Sequence, residues 1–193
     1  MAGPLEGVKV FDLTVVGVGP FATSNLASMG ANVVKVEPPA WPPLRQGSPP
    51  FYNELSIVYM ACHLGKRGVV LDLKTPEGKV AAARLVREAD VFAENMSWGT
   101  VDRLGLSYEE VSKLNPRIIY GCFPGWGGSG PYFERGNGAG TADGFGGATS
   151  ITGKRGGEPE AVRWYAHDFN ASSYITMLLL LGLLHKQRTG KRL

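Results

Sequence analysis

One carboxylate in this sequence stands where it could act as a nucleophile. Asp168 opens a long and mostly apolar segment near the end of the chain. The first turn of a helix favours negative charge, so an aspartate there is ionised at neutral pH and can attack a thioester. The same position also suits a helix N-cap, in which the carboxylate accepts a backbone hydrogen bond worth about 1 kcal/mol. Both roles use the same oxygen atoms, and the residues alone leave both open.

A glycine-rich turn is the second candidate site. The segment 17–22 reads Gly-Val-Gly-Pro-Phe-Ala, follows a predicted strand, opens a predicted helix, and has Glu37 twenty residues after Gly17. This order satisfies the fingerprint of dinucleotide-binding folds. Pro20 removes one amide that a phosphate would use, however, and Asp12 interrupts the apolar strand. A nicotinamide cofactor is therefore less favoured than a plain tight turn or a turn near another nucleotide-bearing ligand.

The histidines and cysteines do not form a metal-binding pattern. His63, His167 and His185 are too scattered to share one helix face, and we expect His167 to have a structural or supporting role. Cys62 and Cys122 form no Cys-x-x-Cys pair, which disfavours a zinc site or a disulfide framework. We therefore expect no metal and a reducing, cytoplasmic compartment.

Composition and charge disfavour several other classes. The 193 residues are 44% hydrophobic and 19% charged, which is typical of one globular domain. The net charge is +3 without a dense Lys/Arg block, so nucleic acid is not an expected partner. Lys66 and Arg67 could contact phosphates, with ordinary surface charge as the alternative. The longest apolar run, 174–184, is shorter than the ~20 residues of a membrane helix, and the N-terminal sequence has no signal-peptide pattern, so no membrane association is expected.

Short strands alternate with helices along the chain. Apolar patterns predict strands at 8–13, 31–37, 68–73, 90–93 and 118–122. Helices are predicted at 21–29, from Thr75 to about 88, from Ser107 to 114, and over 168–186, the last of them covered on most sides. Segment 38–50 is predicted to be loop, and segment 124–157, with 13 glycines, to carry turns and close approaches. The alternation predicts an α/β fold with a parallel sheet and helices on both faces.

Twelve short segments together resemble one family. They are PLEGVKVFDLT at 4–14, GPFAT at 19–23, GANVVKVEPP at 30–39, GKR at 65–67, LDLKTPEG at 71–78, ADV at 89–91, EN at 94–95, DRLG at 102–105, LNPR at 114–117, GPY at 130–132, LH at 184–185 and RTGK at 188–191. Their order and spacing resemble the CaiB/BaiF, or family III, CoA-transferases over the whole chain. The resemblance implies a Rossmann-like large domain, with a smaller second domain and two interlinked subunits. Family members are about twice this length. Residues 1–193 would thus be a CoA-binding large domain that ends in the helix after the aspartate, with the small domain missing.

The resemblance also implies a reaction and a set of binding residues. Asp168 would attack an acyl-CoA to form an aspartyl anhydride, then an aspartyl-CoA thioester that a carboxylic acid opens, without ATP or metal. The partners implied are acyl-CoA, a carboxylic acid, and a second identical or related subunit in an interlocked dimer or heteromer. Lys66 and Arg103 are the expected phosphate contacts, and the Met96 backbone the expected contact to adenine or ribose. The implied CoA contacts are Val16, Gly17, Val18, His63, Leu64, Gly65, Lys66, Asn95, Met96, Ser97 and Arg103.

The chain departs from the formyl-CoA transferase pattern at several positions. Gly17 stands where those members have a glutamine that holds intermediates, and Pro38 where they have an arginine, for which Arg45 is a candidate substitute. Gly136 and Gly138 replace a lysine and a tyrosine. These departures disfavour an oxalate-type substrate and favour a bulkier acid, with an aromatic acid as one option.

Three alternative functions follow from the same residues. A truncated or divergent subunit that binds CoA without catalysis fits the missing glutamine and lysine. A racemase of the same family is disfavoured because residues 137–139 read Asn-Gly-Ala in place of Gly-His-Asp, which removes one acid/base partner. A dinucleotide oxidoreductase remains as a third class because of the glycine-rich turn.

Overall fold

A computed structural model describes residues 3–40, 45, 47, 49–161 and 166–191. Part of the predicted loop 38–50 therefore lies outside the described residues. In chain order the strands are β1 (Lys9–Asp12), β2 (Asn32–Glu37), β3 (Phe51–Tyr52), β4 (Leu55–Ser56), β5 (Arg67–Val70), β6 (Val91–Glu94) and β7 (Ile119–Cys122). The described helices are α1 (Val18–Ser28), α2 (Ile57–Cys62), α3 (Pro76–Glu88), α4 (Thr100–Arg103), α5 (Tyr108–Leu114), α6 (Ala139–Phe145), α7 (Ala148–Ile151) and α8 (Ala166–Thr189).

Five of the strands form one parallel sheet in the order β5-β2-β1-β6-β7. The chain moves outward from β1 in one direction through β2 and β5, and then returns to continue through β6 and β7 on the other side. In register, Phe11 of β1 lies beside Val34 of β2 and Phe92 of β6. The order thus reverses between β1 and β6, and the crevice beyond their carboxyl ends is where open α/β sheets bind ligands. The predicted parallel α/β sheet is confirmed.

Each face of the sheet carries its own apolar core. On one face Phe11 and Phe92 stack with ring centroids 5.1 Å apart, among residues from α3 and α5. On the other face Val10 and Val33 pack with Leu26 of α1 and Leu179 of α8. Strand residues alternate between the two cores because successive side chains point to opposite faces.

Two predicted helix starts are confirmed by their caps. The Thr75 hydroxyl accepts the Gly78 amide at 3.1 Å, and the Ser107 hydroxyl accepts the Glu110 amide at 3.3 Å. At α8 the N-cap alternative for Asp168 is excluded, because Asp168 lies inside the helix, after Ala166. The strand predicted at 68–73 ends earlier, at Val70.

Helix α8 packs against α1 and forms hydrogen bonds with it. The Ser172 hydroxyl donates to the Val18 carbonyl at 2.6 Å, and the Asn25 amide donates to the Thr176 hydroxyl at 3.2 Å. The helix was predicted to be covered on most sides, but the described chain covers one face. Apolar side chains on the uncovered face are Tyr174, Met177, Leu178, Leu181 and Leu184. Within the described residues, no helix has the length and apolar character needed to cross a bilayer.

Candidate functional site

The loop between β1 and α1 runs across the crevice at the carboxyl end of the sheet. The Asn95 side chain fixes it, since its Oδ1 accepts the Val15 amide at 2.6 Å and its Nδ2 donates to the Val15 carbonyl at 3.0 Å. Val16 follows in a left-handed conformation with φ of 63°, which is costly for a β-branched residue. The contacts at Val15 help to hold this conformation. Asn95, predicted as a CoA contact, therefore binds the loop with its side chain.

The buried carboxylate of Asp12 holds the same β1–α1 loop through hydrogen bonds. The Asp12 side chain is fully buried and accepts hydrogen bonds from the Thr14 amide (2.9 Å), the Thr23 hydroxyl (2.6 Å) and Lys66 Nζ (2.8 Å). Burial alone would raise the pKa of Asp12, but Lys35, Lys66 and these hydrogen bonds hold it well below its usual range. Asp12 is thus ionised. Its hydrogen bonds hold the start of the β1–α1 loop at Thr14 and helix α1 at Thr23.

Lys66, predicted to contact a phosphate or to lie on the surface, is buried and paired within the protein. Its Nζ donates to Asp12, to the Pro20 carbonyl at 2.6 Å and to the Thr23 hydroxyl at 2.7 Å, and its side chain is only 1% exposed. These three bonds use all three ammonium hydrogens. The ammonium of Lys66, which was predicted to bind a phosphate, thus makes its hydrogen bonds within the protein and joins β1 and α1 to the residue before β5.

A groove of about 450 Å³ opens at the carboxyl ends of β1 and β2. It brings together three of the predicted CoA contacts, Val16, His63 and Met96. Its lining is mainly apolar, with Lys35 and Lys74 among the few charged residues. The lining residues that sequence reasoning missed include Leu13, Pro20, Tyr59, Leu71, Leu73, Lys74, Thr100 and Leu104. Three of them, Leu71, Leu73 and Lys74, lie in the LDLKTPEG segment, which was quoted for the resemblance but was not assigned to binding.

The acid at the end of β2 is occupied by protein groups. Glu37 Oε1 accepts the Tyr59 hydroxyl at 2.6 Å, and its Oε2 lies 3.8 Å from Arg45, whose guanidinium lies over the Tyr59 ring. Burial and the bond to Glu37 raise the pKa of Tyr59 to about 12. In dinucleotide-binding folds this acid holds the ribose. The internal bonds of Glu37 therefore weigh against the oxidoreductase alternative.

His63 forms the wall of the groove as a neutral ring. It stacks on Tyr59 with ring centroids 4.1 Å apart, and its Nδ1 lies 2.7 Å from the Tyr59 carbonyl oxygen. Burial and the nearby Lys66 lower the pKa of His63 to about 4. The ring is thus neutral at pH 7 and offers an apolar face rather than a charge.

A small hollow of about 30 Å³ lies next to Asp168. Gly17, Phe21 and Cys62 line it, and so does Val16, which also lines the larger groove. One residue of the β1–α1 loop therefore lies on the boundary between the groove and the carboxylate.

The Asp168 carboxylate lies directly against the backbone of Gly17. A β-carbon built on Gly17 would be 2.9 Å from Asp168 Oδ2, so the glycine leaves room for this placement. Burial raises the pKa of Asp168, while His167 lowers it and Asp143 raises it further. Among the described residues, none donates a hydrogen bond to this carboxylate, so neither oxygen is used in capping.

The remaining predicted contacts are more dispersed. Leu64 is exposed, its carbonyl accepts the Ser24 hydroxyl at 2.9 Å, and Gly65 follows with φ of 74°. Arg103 is exposed at the end of α4 and donates to the Thr100 hydroxyl at 3.0 Å.

Ser97 lines a separate groove of about 530 Å³ beside β6 and β7, which Met96 also lines. Val18 begins α1 and contributes its carbonyl to the bond with Ser172. In the described part of the chain, no cluster of three or more His, Cys, Asp or Glu side chains could hold a metal.

Gly19 is the glycine at which the site depends most on a missing side chain. An added β-carbon would lie 2.5 Å from Thr14 Cβ and 3.0 Å from the Asn95 side chain. We expect Gly19→Ala to lower the free energy of unfolding by about 1–3 kcal/mol, because the overlap involves a buried β-carbon that cannot move alone. Urea unfolding measures this loss. Gly140→Ala in α6 is the matched control, since its β-carbon meets no described atom within 4 Å. An equal loss in both variants would contradict this account.

The fold and the site together define a doubly wound α/β protein with a ligand groove at its switch point and a half-buried carboxylate beside that groove. The family model for CoA-transferase family III matches residues 5–192. The chain belongs to this family.

Relatives with names and solved structures agree with this assignment. The chain is 37% identical over 191 residues to succinyl-CoA:glutarate CoA-transferase of Homo sapiens, a match that covers 98% of this chain and 44% of that protein. It is 34% identical over 192 residues to formyl-CoA:oxalate CoA-transferase of Escherichia coli O81, covering 99% of this chain and 46% of that protein. A crystal structure of a CAIB/BAIF family protein from Brucella suis superposes with a TM-score of 0.94 at 35% identity, covering 99% of this chain and 52% of that one. The chain thus spans about half the length of these relatives.

Proposed function

We propose that this protein transfers CoA from an acyl-CoA to a carboxylic acid, with Asp168 as the nucleophile. The observation that carries the proposal is the shared wall at Val16: the apolar groove and the hollow at Asp168 meet at this residue. A nucleotide held in the groove would extend its pantetheine arm along the β1–α1 loop and bring the thioester to the carboxylate. Residues 1–193 would then contain the CoA-binding domain.

The environment of Asp168 supports covalent catalysis. Its carboxylate is half-buried, lies in the first described turn of a helix, and accepts no hydrogen bond from the described residues. In the proposed reaction a carboxylate oxygen attacks the thioester carbonyl, and the C–S bond breaks to give an acyl-aspartyl anhydride and CoA thiolate. The thiolate then attacks the aspartyl carbonyl, which releases the donor acid and leaves aspartyl-CoA. The acceptor carboxylate attacks this thioester, and the released thiolate takes up the new acyl group, which restores Asp168.

Binding of CoA would rest on apolar contact in the groove and on cations at its edge. Lys74 lines the groove and Arg103 is exposed at the end of α4, so both suit phosphate contacts. His63, which is neutral and stacked on Tyr59, suits contact with the adenine ring. Lys66 would support the loop from within and would contact CoA through its backbone at most.

The acceptor is proposed to be bulkier than oxalate. A β-carbon on Gly136 or on Gly138 would meet no described atom within 4 Å, so the glycine-rich segment has open space at the positions where the resemblance implies a lysine and a tyrosine in formyl-CoA transferases. The named relatives act on succinyl-CoA with glutarate and on formyl-CoA with oxalate. Of these, the longer dicarboxylic acid suits this space better.

We propose that another polypeptide surface covers the exposed apolar face of α8. The uncovered face of α8 presents Tyr174, Leu178 and Leu181, which are more than half exposed. Apolar faces of this extent are usually buried against other protein. The remainder of a longer chain or a second subunit in an interlocked dimer would cover it.

A transfer assay distinguishes this function from its alternatives. The purified protein is incubated with succinyl-CoA and a panel of acids that includes oxalate, glutarate and an aromatic acid, and the new acyl-CoA is quantified by mass spectrometry. We expect transfer to an acid larger than oxalate. Tight CoA binding without any transfer would instead favour the non-catalytic subunit. NADH binding, measured by its fluorescence, would favour the oxidoreductase.

A further inference from the structure

Helix α6 is attached to α8 by a charged contact. Asp143 is the one buried residue within α6, all of which the structure describes, and it is only 4% exposed. Its Oδ1 contacts Nδ1 of His167 in the first described turn of α8. A buried carboxylate is costly unless it is paired, so this contact accounts for the burial of Asp143.

The contact fixes the orientation of the imidazole ring. Rotation of the ring would break this contact and leave a buried carboxylate without its ion-pair partner. The His167 side chain is 32% exposed, so the rest of the ring is not enclosed. A histidine oriented by an aspartate in this way is a recurrent arrangement next to reactive groups.

His167 and Asp143 are also the charged groups that act on the pKa of the proposed nucleophile. Asp168 follows His167 directly, and the two charges act on its pKa in opposite directions, as described above. From the other elements packed around Asp168, α2 contributes the Cys62 thiol, whose pKa burial raises, and the β1–α1 loop contributes the uncharged Gly17. The pKa of Asp168 is therefore set first by burial and then by the charges of this pair.

We propose that Asp143 and His167 are positioning residues for Asp168: Asp143 holds the imidazole, and the imidazole fixes the first described turn of α8 and supplies positive charge beside the reacting carboxylate. The inference rests on Asp168 being the nucleophile, as proposed above. Neither residue needs to touch the acyl group. Their effect is to keep Asp168 ionised and directed at the hollow in spite of its burial.

Three variants separate orientation from charge. His167→Ala removes both, His167→Asn keeps an N–H group near the Nδ1 position but carries no charge, and Asp143→Asn removes the negative charge. The rate of Asp168 acylation by succinyl-CoA is measured by rapid quench and intact-mass spectrometry from pH 4 to 8, a range set by the ~3.9 of a free aspartate and the ~6.5 of a free histidine.

The expected shifts have opposite signs. His167→Ala should lower the plateau rate by ~10- to 100-fold through loss of orientation. It should also move the acid limb of the profile to higher pH, because the charge that lowers the pKa of Asp168 is lost. His167→Asn should keep the plateau and show the same shift of the limb. Asp143→Asn should move the limb to lower pH.

The controls distinguish the two proposals. If His167→Ala and His167→Asn keep the wild-type plateau and limb, or change only the melting temperature, the positioning role is wrong while Asp168 acylation stands. If the wild-type protein is not acylated at all, the proposed function fails, and this inference fails with it. Should the alanine variant not fold, the asparagine variant alone decides through the position of its limb.

Discussion

Asp168→Asn is expected to reduce CoA transfer by at least about 10³-fold, the scale on which removal of a catalytic nucleophile acts. The amide has nearly the shape of the carboxylate but cannot form the anhydride. Because Asp168 lines the small hollow and not the larger groove, the affinity for free CoA should remain within a few-fold of wild type. Transfer is measured by the appearance of the new acyl-CoA, and affinity by titration calorimetry.

Glu110→Gln is the matched control for this loss. It makes the same carboxylate-to-amide change on the surface of α5, where Glu110 pairs with the exposed Lys113. We expect full transfer activity from this variant. Equal activity in Asp168→Asn and Glu110→Gln would show that the nucleophile lies elsewhere.

Lys66→Met is expected to lower the free energy of unfolding by about 3 kcal/mol, since it leaves Asp12 buried without its closest cation. The value is at the lower end of the range for broken buried pairs because Lys35 remains 3.9 Å from Asp12. Urea unfolding measures the change. The double variant Asp12→Asn/Lys66→Met should lose less than the sum of the two single variants, because it removes the uncompensated charge.

Two further measurements check that the lower unfolding free energy of Lys66→Met arises from the buried charge of Asp12. Lys113→Met breaks an exposed pair and should leave the unfolding free energy essentially unchanged. The pKa of Asp12 is lowered in the folded protein, so its contribution is present above the unfolded pKa near 3.8 and is lost as the pH falls toward the folded value. Asp12→Asn should therefore flatten the decrease in stability below about pH 4. An unchanged acid slope in this variant would contradict the assignment.

Local signals were sufficient for most of the fold. Thr75 and Ser107 cap their helices as predicted, because capping depends on residues within one turn. The alternation of strands and helices predicted the parallel sheet for a similar reason, since the central strands β1, β2 and β6 bury side chains on both faces. The bounds of α8 were less accurate. The described helix runs over Ala166–Thr189, whereas the prediction was 168–186.

The site was less predictable because its side chains bind partners that are distant in sequence. Lys66 was expected at a phosphate, but its partner Asp12 lies 54 residues away, and nothing in the local sequence reveals that pairing. Asn95 binds the Val15 backbone 80 residues away for the same reason. The contact between His167 and Asp143 was not foreseen either. A supporting role for His167 was predicted from its place beside Asp168, without a partner.

The most direct test of the central claim is to locate the acyl group on the protein. Wild-type protein is mixed with succinyl-CoA, quenched within seconds, and digested, and the modified peptide is sequenced by tandem mass spectrometry, with hydroxylamine used to convert an activated aspartyl group into a hydroxamate. The account predicts a succinyl, CoA or hydroxamate mass on Asp168 and none in Asp168→Asn. Transfer activity with an unmodified Asp168 peptide, or with the adduct on another residue, would contradict it.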